Sequence, residues 1–90
     1  MGLYAQDADG NYVVVELKRN NATQEAVHQL SRYVEAMSNT LPITARVRGI
    51  LAAPGITRPA ALSLERAGLE FREMQALPSA RVTAAQPTLF

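Results

Sequence analysis

The run Tyr12-Val13-Val14-Val15-Glu16-Leu17-Lys18-Arg19 constrains what this chain can fold into more than any other stretch. Three consecutive valines after a turn signal predict a buried strand. Strand side chains alternate faces with period 2, so Glu16 and Lys18 emerge side by side on one face. Taking a carboxylate or an ammonium out of water alone is expensive. A core strand that ends in both therefore opens there onto a cleft, a metal or a phosphate.

The flanking segments give the strand its neighbours. Leu3 to Gln6 and Asn11 to Lys18 surround Ala8-Asp9-Gly10, a hairpin signal with a glycine for the left-handed position. From Ala22 to Met37 the apolar positions Ala26, Val27, Leu30, Tyr33, Val34 and Met37 fall at helical spacing, with Asn21 or Thr23 as cap and Glu25 complementing the positive end. This helix is expected to stop before Asn39-Thr40-Leu41-Pro42. Val47 to Ala53 reads as a second buried strand, Arg58-Pro59 opens a second helix to about Ala67 where Gly68 ends it, and Leu69 to Met74 is a short last strand. The order predicts an α/β domain over residues 1–75, a mixed sheet with flanking helices. Residues 76–90 lack a sustained period and read as a mobile tail.

Composition narrows the chemistry. Ninety residues make one small domain, and the absence of cysteine excludes disulfides and thiolate metal sites, leaving carboxylates and one histidine as ligands. A hard cation, Mg2+ or Mn2+, is the metal such a donor set admits. His28 is turned about 100° from Gln29 on the helix and is read as a surface residue. No stretch approaches the roughly 20 apolar residues of a membrane span, which predicts a cytoplasmic protein without a membrane partner. With a net charge of +1 the chain is no polybasic coat. Lys18, Arg19, Arg32, Arg46, Arg48 and Arg58 are nevertheless placed where they could line one DNA-binding cleft, the alternative being an ordinary solvated surface.

Strand, Glu-x-Lys, then a helix carrying Gln29 and Tyr33 one turn apart resembles the PD-(D/E)xK nuclease superfamily. The stretch from "DADGNYVVVELKRNN" to "RYVEAM", with the later "RVRGILAAPGIT" and "LERAGLEF", is similar to the C-terminal nuclease domain of the NucS (EndoMS) mismatch endonucleases over about residues 3 to 75. The resemblance implies a restriction-endonuclease-like fold and metal-dependent hydrolysis of double-stranded DNA in mismatch repair. It implies that an aspartate and Glu16 hold the metal with the Leu17 carbonyl, that Lys18 orients water, and that Gln29 and Tyr33 support the site. The final Gln86-Pro87-Thr88-Leu89-Phe90 is similar to the bacterial sliding-clamp-binding peptide: Gln86 would take a polar subsite, Leu89 and Phe90 an apolar pocket, and Pro87 departs from the usual leucine.

The first metal-binding aspartate is missing. A three-residue loop Ala8-Asp9-Gly10 pairs Asp7 with Asn11 and hence Gly2 with Glu16, and directly opposite residues lie about 4.5–5.5 Å apart. Alignment with the resembling family puts the aspartate at residue 2 as well. Asp7 lies roughly 16 Å further along at about 3.3 Å per residue and on the other face. The expectation is a nuclease domain truncated at its N-terminus, its first elements missing and its activity lost with the acid. Two alternatives stay open: a non-catalytic DNA- or clamp-binding module that keeps the nuclease fold, and an unrelated α/β domain whose Glu16 and Lys18 are a structural ion pair. Whether two copies pair along an exposed edge strand also stays open.

Overall fold

The computed structural model describes residues 2–75. The elements run β1 (Gly2–Gln6), β2 (Tyr12–Leu17), α1 (Gln24–Thr40), β3 (Val47–Ala53), α2 (Arg58–Arg66) and β4 (Glu70–Glu73). They form a four-stranded sheet in the order β1-β2-β3-β4, with β1 antiparallel to β2 and the other neighbours parallel. A parallel neighbour cannot be reached by a hairpin, so each parallel step carries a crossover helix.

Local chemistry explains most boundaries. The β1–β2 hairpin closes by Gly10 N–H donating to Asp7 O at 3.0 Å and Asp7 N–H to Asn11 O at 2.9 Å. Gly10 takes φ +84, a value that costs an L side chain strain. The register is the one expected, with Gly2 opposite Glu16. The Thr57 hydroxyl caps α2 by accepting from Ala60 N–H at 3.3 Å. At the other end Gly68 N–H donates to Glu65 O and Leu69 N–H to Leu64 O, each at 3.0 Å, a Schellman termination that the positive φ of Gly68 permits.

Both ends of α1 differ from expectation. Helix α1 begins at Gln24 because Ala22 is drawn into an isolated bridge with Ile56. Thr23 stands at its N-cap without a side-chain cap hydrogen bond. The helix runs past Met37 to Thr40, whose hydroxyl donates to Met37 O at 2.9 Å. It ends at Leu41, extended at φ −105 and ψ 161, because a residue before proline is disfavoured in the helical region.

Both helices cover one face of the sheet. Val14, Leu51 and Ala53 meet Ala26, Val27 and Leu30 of α1 and Ala60 and Leu64 of α2 in the larger core cluster. Val13, Val15, Ile50 and Ala52 form a second cluster on the opposite face, flanked by Leu17 and Met74. Glu16 is two residues from Val14 and faces the helices, at the end where β2 and β3 finish.

Candidate active site

Glu16 is the one buried charged side chain among the described residues, 1% exposed in the row that Val14 begins. It stays in that row because the parallel ladder holds it against Leu51 and continues one bond further, Lys18 N–H donating to Ala52 O at 2.9 Å. The fixed backbone carries the Lys18 side chain to the same face, Nζ standing 3.4 Å from Glu16 Oε2. Lys18 Nζ also donates to Gln29 Oε1 at 3.0 Å, which ties the strand end to the second turn of α1. An ammonium has three donors, and this one turns two toward Gln29 and Glu16 with a third of its side chain still exposed.

Above this cluster lies a hollow of about 190 Å³, lined by Lys18, Asn21, Ala22, Thr23, Glu25, Ala26 and Gln29. It offers a cation held in place at Lys18, and its walls offer amide and hydroxyl donors beside the Glu25 carboxylate. Tyr33 lies one turn beyond Gln29, 40% exposed and outside this lining. Sequence reasoning missed Asn21, Thr23 and Glu25 as wall residues. Glu25 had a usable signal, since it sits four residues before Gln29 and positions i and i+4 share a helix face.

The six basic residues do not line one cleft, which corrects that expectation. Lys18 and Arg19 follow the C-terminal end of β2, and Arg58 opens α2 just beyond the neighbouring end of β3. Arg32 is on the exposed side of α1. Arg46 and Arg48 stand at the opposite end of the strands: Arg48 pairs with Val13 and shares its face, turned away from Glu16. Arg48 is committed to carboxylates, its Nε and Nη2 donating to Glu70 at 2.8 and 2.7 Å and its Nη1 to Asp7 Oδ2 at 3.1 Å. The Asn11 side-chain amide does most to hold the Asp7 carboxyl at about 2, below its ordinary 3.8, with further help from the Asn11 N–H and Arg48 against partial burial. Arg48 likewise holds Glu70 below the usual carboxylate range.

The donors can be weighed against a hard divalent cation. Glu16 would supply a carboxylate and, as the family resemblance implies, Leu17 a carbonyl, but the residue opposite Glu16 is Gly2. Asp7 is engaged at the far end of the hairpin, and no cluster of three or more acidic or imidazole ligands occurs among the described residues. Among the described residues the set is one carboxylate short of a tight Mg2+ or Mn2+ site.

The candidate site is thus a buried carboxylate beside a clamped lysine that lines a polar hollow on a mixed sheet, and comparison with known proteins supplies the family. The chain belongs to the endonuclease NucS C-terminal domain family, which it matches over residues 1–86. It is 49% identical to endonuclease NucS of Pyrococcus horikoshii over 75 residues, covering 83% of this chain and 28% of that protein. It is also 49% identical to endonuclease NucS of Aeropyrum pernix over 72 residues, covering 80% and 26%. The chain therefore spans less than a third of the length of these relatives. Among solved structures it superimposes on EndoMS in apo form with TM-score 0.79 and 44% identity, over 86% of this chain and 33% of that one. On an EndoMS–dsDNA complex the TM-score is 0.77 at 45% identity, over 83% and 30%.

Proposed function

We propose that this chain is a DNA-endonuclease domain of the PD-(D/E)xK type that engages a backbone phosphate of double-stranded DNA at Lys18, and that its cleavage is limited by the glycine at residue 2. The observation carrying this reading is the Glu16–Lys18–Gln29 cluster set directly across the ladder from Gly2. Gln29 and Glu16 fix the Lys18 ammonium, so its remaining donor is presented without reorganisation to an anionic oxygen entering the hollow. The solved complex of the similar EndoMS with dsDNA supports duplex DNA as the ligand. The glycine favours the non-catalytic branch of this reading, a module that grips DNA and cuts little.

Residues 76–90 lie outside the described residues, and the clamp-binding role of Gln86, Leu89 and Phe90 rests on the resemblance of their pentapeptide alone. Recruitment by a bacterial sliding clamp is proposed on that basis, and action in mismatch repair and a cytoplasmic setting on the kinship with the NucS endonucleases. No helix among the described residues is long and apolar enough to cross a membrane. A homodimer would form most readily along the outer edge of β1, whose residues Gly2 to Gln6 carry no charge to discourage pairing.

The deciding experiment compares the chain with its Gly2→Asp variant. Mn2+ affinity by calorimetry and nicking of a mismatched duplex are expected to be weak and near background for the chain as it stands. Both should rise together in Gly2→Asp and fall again on adding Glu16→Ala. Robust Mn2+-dependent cutting by the unaltered chain, abolished by Glu16→Ala, would show that another group completes the site.

A further inference from the structure

Beyond Lys18 the chain runs Arg19-Asn20-Asn21-Ala22-Thr23-Gln24 without a single carboxylate, and every residue but Ala22 carries a side-chain hydrogen-bond donor. Arg19, Asn20 and Asn21 are exposed. With Pro54 they line a second, shallower hollow that shares Asn21 with the one above Lys18. Exposed donors on a loose loop would be ordinary surface. These sit on a fixed backbone: Ala22 N–H donates to Gly55 O at 2.9 Å and Thr57 N–H to Ala22 O at 3.0 Å, stitching this loop to the one that follows β3. Gly55 completes the arrangement, because a Cβ there would stand 2.7 Å from Asn21 Oδ1 and 3.2 Å from its Cγ. The glycine leaves the room that the Asn21 amide occupies.

We infer that Arg19, Asn20 and Asn21 form a second phosphate subsite, holding the DNA backbone phosphate next to the one that faces Lys18, with Gly55 as a positioning residue for the Asn21 amide. This rests on the reading of the Lys18 site as phosphate-facing. A backbone phosphate carries one negative charge and offers only acceptor oxygens, and the subsite presents one guanidinium and two amides that supply donors. The arginine contributes the charge and the short amides contribute direction, with few rotors to immobilise. Contacts of this kind fix the register of a strand without reading its sequence. The shared wall at Asn21 makes the two hollows one track, so the strand passes from the Lys18 hollow over the loop toward Pro54.

Fluorescence anisotropy of a labelled duplex, titrated with the chain at several salt concentrations, tests the assignment. Arg19→Gln should lower the slope of log affinity against log salt by about 0.9, the value for one phosphate contact. Asn20→Ala/Asn21→Ala should weaken binding about tenfold with nearly unchanged slope, since neutral donors release no counterions. Gly55→Ala should weaken binding several-fold while the melting temperature holds, because the side chain it displaces is exposed. Arg66→Gln, in the last turn of α2, should bind as the unaltered chain does. If Lys18→Ala weakens binding and the loop variants do not, the second subsite is overturned and the Lys18 reading stands. If Lys18→Ala is also without effect, or the unaltered chain fails to bind duplex at low salt, both are overturned.

Discussion

Gly49 lies where side chains of α1 and of the turn after α2 press against the sheet. A Cβ at this position would lie 2.6 Å from Leu69 Cδ2 and 2.7 Å from Val34 Cγ2, both packed against the core cluster. Gly49→Ala is therefore expected to destabilise the domain by about 1–3 kcal/mol, the usual cost of overpacking. A lower urea midpoint at unchanged slope would register it, and a midpoint equal to that of the unaltered chain would mean that Val34 and Leu69 yield freely. Residues differ in how far sequence exposes their surroundings. Glu16, Lys18 and Gln29 were legible because an i, i+2 step on a strand and a helical turn fix geometry locally. Arg48 was not, since its partners Asp7 and Glu70 lie 41 and 22 positions away and only the folded sheet brings them together. Asn21 was legible as a capping candidate but not as a wall of the site, because its place depends on Gly55 in another loop.

At the scale of elements, the Arg48 cluster fastens one end of the sheet. It joins the hairpin between β1 and β2 to β3 and β4 through two carboxylates. Both acids titrate below their ordinary values in the folded chain. Their contribution is therefore complete above the unfolded values and drains away as pH falls through the folded ones. The melting temperature should drop as pH is lowered from about 4.5, the ordinary value for Glu70, toward the value of about 2 for Asp7. In Arg48→Gln this acid limb should be shallower, and an identical limb in both proteins would assign the acid sensitivity to other carboxylates. Element order and hairpin register were readable from the sequence because turn residues and periodicity are local. The end of α1 was misread because Ser38, Asn39 and Thr40 are poor helix formers, yet nothing stops the helix until the backbone restriction that Pro42 imposes on Leu41.

At the scale of the whole molecule, the proposed function asks a domain with one clamped lysine and little net charge to stay on DNA, and the terminal peptide would help it do so. Once a clamp encircling DNA holds that peptide, the duplex is present at about millimolar effective concentration. The unaltered chain should bind a purified sliding clamp, and Leu89→Ala/Phe90→Ala should not. Equal affinity of the two would reduce the pentapeptide to a chance resemblance. The stitch between Ala22 and the loop after β3 has its own consequence for how the molecule breathes. Two connections that would otherwise open separately are hydrogen-bonded to each other at Gly55 and Thr57. Neither can let solvent in without displacing the other, nor without disturbing the strands and helices that both join. In hydrogen–deuterium exchange the amides of Ala22 and Thr57 should therefore follow the slow rates of the central strands, although they belong to loops, and rates as fast as those of the turn at 42–45 would show that the stitch opens alone.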